Sequence, residues 1–301
     1  MTNIVRTPET RFENLPGYPF SPHYLNVEEG LRLHYLDEGD AKGPVILLLH
    51  GEPTWSYLYR KMIPVLAAAG FRVLAPDLIG FGKSDKWTEQ KSYSYQKHID
   101  WVTSFLIQLD LKAVTLFGQD WGGLIGLRLV AAMPERFAGI VASNTILPTG
   151  QGVVPDAFYQ WRAYSQKSPD LNIGKVIRSG TVKPMPDEVA AAYDAPFPSE
   201  EYKAGARIFP TLVPVEEKDP EAIQNKKAWQ ALMQWEKPVL TVFGDADEIM
   251  KGAEKIFQKL MPGAKGQDHA MLHAGHFIQE DVGEELARLV VAFIQKNTPK
   301  K

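Results

Sequence analysis

Two textures alternate along this chain. Val45–Leu49 is a short continuous apolar run, as expected of a strand covered on both faces. Ser56–Ala69 follows with apolar residues at helical spacing. The spacing then predicts a strand at Phe71–Ala75, a helix at Tyr95–Leu109, a strand at Ala113–Phe117, a helix at Gly122–Met133 and a strand at Ile140–Ser143. Upstream, Tyr24–Glu28 and Leu31–Asp37 flank Glu29-Gly30 and predict a β-hairpin. The polar, proline-bearing start predicts an irregular lead-in.

Strands alternating with helices require crossover connections and therefore a mostly parallel sheet. The alternation stops near Leu147. From there to about Trp235 the chain is rich in Pro, Tyr, Ala and Lys, and reads as helices with breaks. It resumes with a strand at Val239–Phe243, a helix at Ala253–Leu260, a strand region at Ala270–Leu272 and a helix at Glu284–Gln295. An insertion between two halves of one sheet is a cap. The expected organisation is a core built from residues 1–147 and 236–301, carrying a helical cap at 148–235. No internal repeat or low-complexity tract interrupts this pattern.

With 301 residues and 45% hydrophobic positions, the chain can bury a sizeable core. Its net charge of −3, without a basic block, gives nucleic-acid binding little support. The absence of cysteine removes disulfides, thiolate nucleophiles and cysteine metal sites together. The N-terminal stretch lacks the basic-then-apolar pattern of a secretory signal, and no apolar run approaches the roughly 20 residues that span a bilayer. The expectation is a soluble, cytoplasmic monomer without nucleic-acid or membrane partners.

The chemistry enters at Gly118-Gln119-Asp120-Trp121-Gly122-Gly123, which follows a predicted strand and opens a predicted helix. That is the context of the nucleophile elbow, G-x-S-x-G, with Asp in the place of Ser, and it points to an α/β-hydrolase fold. Asp is also a good helix N-cap, which is the plain alternative for Asp120. The glycine framing and the strand–turn–helix context favour a functional role. A serine must lose a proton before it attacks, whereas an aspartate is ionised at neutral pH. A carboxylate can displace a leaving group at saturated carbon and form an alkyl–enzyme ester. Hydrolysing that ester is the step that needs a base.

In this fold the chain order is nucleophile, acid, histidine. His276, in Ala274-Gly275-His276-Phe277, is the expected base, with His269 and His273 as competitors. The orienting acid should lie in Gly244-Asp245-Ala246-Asp247-Glu248, where spacing alone does not separate Asp245 from Asp247. The loop His50-Gly51-Glu52-Pro53 follows the Val45–Leu49 strand and should supply one oxyanion-hole N–H, that of Glu52; Trp121 should supply the other. His50 reads as a brace for this loop. Gly80-Phe81-Gly82-Lys83-Ser84 lacks phosphate-loop spacing.

These residues resemble the haloalkane dehalogenases. The resemblance rests on His50-Gly51-Glu52-Pro53-Thr54-Trp55, on Asp77 with Gly80-Phe81-Gly82-Lys83-Ser84-Asp85, on Gln119-Asp120-Trp121-Gly122-Gly123 and on Ala274-Gly275-His276-Phe277. It extends to Arg6-Thr7-Pro8, Tyr18-Pro19-Phe20-Ser21-Pro22 and Ala195-Pro196-Phe197-Pro198, and is closest to the branch typified by the enzyme acting on 1,2-dichloroethane. It implies Asp120 as nucleophile, His276 as base, Asp247 as acid and two halide-binding tryptophans. One of these is Trp121; the best local match for the other is Trp161 in the cap. It implies a small halogenated hydrocarbon as substrate, a halide ion as product, and no metal or organic cofactor. Other branches have Asn where this chain has Glu52. An ionised Glu cannot donate a hydrogen bond to an anion, so the second donor is expected to be a cap indole.

The competing reading is epoxide hydrolysis, which uses the same Asp–His–Asp logic. It would draw on cap tyrosines, and Tyr159, Tyr164, Tyr193 and Tyr202 lie in that stretch. A fluoroacetate dehalogenase would want paired arginines after the elbow, where Arg128 stands alone. A non-catalytic hydrolase-fold receptor is disfavoured by the intact nucleophile, acid and histidine.

Overall fold

The computed structural model describes residues 3–298. Its strands are β1 (Ile4–Val5), β2 (His23–Glu28), β3 (Leu31–Gly39), β4 (Val45–Leu49), β5 (Arg72–Pro76), β6 (Lys86–Trp87), β7 (Val114–Gln119), β8 (Phe137–Ser143), β9 (Val239–Gly244) and β10 (Ala270–Leu272). Its helices are α1 (Ile63–Ala68), α2 (Tyr95–Gln108), α3 (Trp121–Ala132), α4 (Asp156–Lys167), α5 (Ile173–Ser179), α6 (Asp187–Asp194), α7 (Ala204–Leu212), α8 (Pro220–Leu232), α9 (Glu254–Leu260) and α10 (Ile278–Asn297).

Eight strands form one sheet in the order β10-β9-β8-β7-β4-β5-β3-β2. The β2–β3 and β3–β5 pairs are antiparallel and the rest are parallel. The central strands β7 and β9 are buried throughout and β4 nearly so, which accounts for their unbroken apolar runs. This is the expected α/β-hydrolase sheet. Helices α4 to α8 all fall between β8 and β9, so the sheet is built from two stretches of chain that pair directly as Ile140–Val239, Val141–Leu240 and Ala142–Thr241. Among the described residues, no helix is long and apolar enough to cross a membrane.

Three local expectations change. The single helix expected over Ser56–Ala69 is a 3-10 turn at Ser56–Tyr59 followed by the short α1. Every residue of that turn is buried, and the Ser56 N–H is drawn to Asp77 Oδ1 at 2.7 Å. Apolar spacing there records burial on all sides rather than one helical face. The last helix begins at Ile278, earlier than expected, and has a break at Val282 (φ −139°, ψ 32°). The lead-in is not wholly irregular: β1 pairs with β6, Arg6 meets Asp85 at 2.8 and 3.0 Å, and Thr7 Oγ1 donates to the Pro196 carbonyl at 2.7 Å.

Candidate active site

The site forms at the carboxyl edge of the parallel strands, where loops after β4, β7, β8, β9 and β10 converge. At the end of β7 the chain turns sharply into α3. Asp120 takes φ 50° and ψ −124°, a strained conformation for a residue with a side chain. Neighbours hold it there. Its N–H donates to the Asn144 carbonyl at 3.0 Å, and its own carbonyl accepts from Thr145 Oγ1 at 2.7 Å. A Cβ at Gly122 would run into the Leu49 carbonyl, so only glycine lets α3 pass this close to β4.

The turn presents the Asp120 carboxylate to two groups. Oδ1 accepts the Glu52 backbone N–H at 2.8 Å. Oδ2 lies 3.6 Å from His276 Nε2, a charge contact rather than a hydrogen bond. On its other side, His276 Nδ1 donates to Asp247 Oδ2 at 2.8 Å. Asp247 is buried, and Oδ1 accepts the N–H groups of Ile249 (2.9 Å) and Met250 (3.0 Å). Burial raises the Asp247 pKa, but His276 and those two donors outweigh it and hold the carboxyl below its usual value. For His276, burial works against the charged ring, yet Asp247 and Asp120 together raise its pKa to about 10.

The other histidines and acids are placed elsewhere. Asp245 pairs with His273 at 3.1 Å on the surface. His269 lies 3.1 Å from Thr241 Oγ1 and 2.9 Å from the Ala264 carbonyl. His50 braces its loop as expected: Nδ1 donates to the Gly51 carbonyl at 2.9 Å and Nε2 accepts from the Leu78 N–H at 2.9 Å. Asp77 is buried and anchors the neighbouring glycine-rich loop, accepting from Ser56, from Lys83 and from His34.

Trp121 and Trp161 line the same cavity as Asp120, His276 and Glu52, a space of about 930 Å³ under the inserted helices. The Trp121 ring is fixed edge-on against Tyr95 and Phe209, with centroids 4.9 and 4.7 Å away. Trp161, on α4, donates its indole N–H to Glu52 Oε2 at 3.1 Å. The surroundings of Glu52 weigh against its charged form. The side chain is buried, and burial together with the Asp120 charge raises its pKa well above the usual carboxylate range, favouring the neutral acid. Its Oε1 is buried without a partner. The Trp161 indole N–H, the donor expected for an anion, is thus engaged by Glu52 in this structure.

Sequence reasoning missed the residues that tie these loops together. Asn144, just past β8, donates to the carbonyls of Gly275 and His276 at 2.9 Å each and accepts the Gly244 N–H at 2.8 Å. With its carbonyl on the Asp120 N–H, it joins the loops that carry Asp120, Asp247 and His276. Gln119 adds a bond to the His276 carbonyl at 3.2 Å. The available signal was position: polar residues at the carboxyl ends of two adjacent buried strands.

A family model described as alpha/beta hydrolase fold matches residues 44–281. The chain is 54% identical over 299 residues to a haloalkane dehalogenase of Psychrobacter cryohalolentis, covering 98% of this chain and 99% of that one. It is 54% identical over 297 residues to haloalkane dehalogenase 1 of Mycobacterium tuberculosis, covering 97% and 99%. Among solved structures, a haloalkane dehalogenase from Paraglaciecola agarilytica, described as tetrameric, superposes with a TM-score of 0.88 at 37% identity, covering 95% of this chain and 97% of that one.

Proposed function

This chain belongs to the haloalkane dehalogenase family, and we propose from that premise that it hydrolyses a haloalkane to a primary alcohol, a halide ion and a proton through an alkyl ester on Asp120. The observation that carries the reading is the line of three side chains, Asp120 to His276 at 3.6 Å and His276 to Asp247 at 2.8 Å, opening on an apolar-walled cavity.

In the first step an Asp120 oxygen attacks the halogen-bearing carbon. The carbon–oxygen bond forms as the carbon–halogen bond breaks, and the electron pair leaves with the halide. The leaving anion needs donors where its charge develops. Trp121 and Trp161 supply indole N–H groups, the Trp161 N–H passing from Glu52 Oε2, which holds it at 3.1 Å in this structure, to the halide as it forms.

The second step explains the high pKa of His276. Two carboxylates hold the ring protonated before the reaction. Ester formation consumes the Asp120 charge, so His276 loses part of what held its proton and releases that proton to solvent. The neutral ring, kept in orientation by Asp247, then takes a proton from water as the water attacks the ester carbonyl. The Glu52 and Trp121 backbone N–H groups stabilise the resulting oxyanion. Collapse releases the alcohol and restores the Asp120 carboxylate and the His276 imidazolium. The balance is one halide and one proton per turnover.

Residues 148–235 are assigned as the cap that closes this cavity. We take the protein to act as a monomer in the cytoplasm, with light scattering at micromolar concentration as the test of the first point. The decisive experiment is halide and proton release from 1,2-dibromoethane, 1-bromobutane, a styrene-oxide-type epoxide and a p-nitrophenyl ester. Bromide should appear from the bromoalkanes, and the ester should remain intact. Epoxide opening with no bromide from any haloalkane overturns the assignment.

A further inference from the structure

The two peptide N–H groups flanking His276 leave its loop for different partners on the same side. The Gly275 N–H donates to Asp281 Oδ2 at 2.9 Å, and the Phe277 N–H donates to the Gly180 carbonyl at 3.2 Å. Both partners belong to one joint. Asp281 is 4% exposed and sits in the first turn of α10, just before the break at Val282. Its carboxylate also accepts the Val182 N–H at 3.2 and 3.1 Å and the Lys183 N–H at 2.8 Å, from the connection between α5 and α6. One carboxylate thus joins the inserted helices to the loop carrying the histidine. The approach is close: a Cβ at Gly180 would stand 2.7 Å from the Phe277 ring, and Gly180 is not in the left-handed region, so only the contact keeps the position small.

A buried acid in the first turn of a helix ordinarily answers the helix's own free N–H groups. Asp281 instead spends its oxygens on three N–H groups outside α10, two on the insertion and one on the catalytic loop. The joint therefore makes the position of the insertion and the position of the imidazole interdependent. From the opposite side, Asn144 holds the Gly275 and His276 carbonyls. Releasing Asp281 strips this flank of its Gly275 bond and leaves only the longer Phe277–Gly180 bond there, which lets the ring tilt away from Asp247 and the ester.

We propose that Asp281 is a positioning residue for the histidine base, and that the α5–α6 connection braces His276 for ester hydrolysis through it. The inference rests on the dehalogenase reading above. Because Asp120 attacks without needing a base, the two half-reactions separate the roles. In Asp281→Asn, one carboxylate oxygen becomes an amide N–H₂, which meets an N–H donor on one side or the other of the joint. The halide burst should keep its rate per active site. The steady rate should fall on the order of 10- to 100-fold, as for a catalytic group moved by an ångström or less. Mass spectrometry should show the alkyl ester accumulating on Asp120.

Gly180→Ala perturbs the same joint from the insertion without touching Asp281, and should give the same pattern at smaller amplitude. Counting active sites by the burst separates misplacement from partial unfolding, which would lower the burst amplitude and leave the rate per site unchanged. NMR titration of His276 reads placement without any substrate. Its pKa should fall in Asp281→Asn as the contact with Asp247 loosens. Parental ester hydrolysis per active site in both variants, or an unmoved His276 titration in Asp281→Asn, overturns the proposal. Absence of any halide release from the parent would instead count against the dehalogenase reading and leave the titration result to decide the role of Asp281.

Discussion

Two aspartate–histidine pairs sit side by side in this molecule, and only one of them also faces a third carboxylate. Asp245 and His273 meet at 3.1 Å; Asp247 and His276 meet at 2.8 Å. The residue types match and the members come from the same two loops. The surroundings differ. The His273 side chain is 80% exposed and its partner 44%, whereas the His276 side chain is 13% exposed and Asp247 is fully covered. Water screens the outer pair, so its attraction is worth little. The inner pair is out of water, held by backbone donors, and faces a third charge on Asp120. A histidine beside an aspartate is common; a histidine between two carboxylates, with the far side open to a cavity, is the arrangement that the proposed mechanism asks of its base.

The comparison breaks most sharply at the histidines. His276→Phe should lower steady turnover on the order of 10²–10⁴-fold, leaving one equivalent of halide released per site. His273→Phe should stay within about twofold of the parent, as surface substitutions usually do. Multiple turnover in the first variant or a stalled ester in the second would reverse the two pairs.

The acids give the next largest contrast. Asp247→Asn removes the charge that orients and holds the imidazolium, and a loss on the order of 10²-fold is expected in ester hydrolysis. Asp245→Asn should leave both half-reactions alone. Single-turnover ester decay measures this directly, and equal losses would show that burial does not decide between them.

The smallest effect is on stability. A folded-state pKa for His276 of about 10, above the ordinary value of 6.5, contributes stability that is complete below pH 6.5 and is lost as pH rises to 10. Buried Lys86, pushed down to about 7 by burial, works in the opposite direction over much of that window. The His276 share is therefore read as a difference: between pH 6.5 and 10, the melting temperature of His276→Phe should fall less than that of the parent, by a few degrees. Parallel curves would remove the charge argument.

The elbow was legible because backbone geometry writes itself into glycine spacing, and Gly118, Gly122 and Gly123 frame Asp120. The sheet was legible for the same kind of reason: strands covered on both faces must be apolar throughout. Choosing Asp247 over Asp245 was beyond spacing, because the distinction lies in a loop that curls the Ile249 and Met250 N–H groups onto one carboxylate. The state of Glu52 was illegible for a related reason. Ionisation depends on what surrounds a side chain, and its surroundings come from Asp120 and Trp161, far along the chain. The Ser56–Ala69 stretch misled because all-round burial imitates helical periodicity over a few residues.

The direct pairing of β8 with β9 also orders events during synthesis. A ribosome makes the nucleophile strand and its elbow, then all five inserted helices, before it makes the strand that must lie beside β8. Until β9 and β10 emerge, the growing chain carries Asp120 with neither its acid nor its histidine, and the edge of β8 waits unpaired. Such distant strand pairings close slowly. On the proposed mechanism, an ester formed on Asp120 at that stage would have nothing to clear it, so the last strands to be made would supply the half of the reaction that regenerates the enzyme.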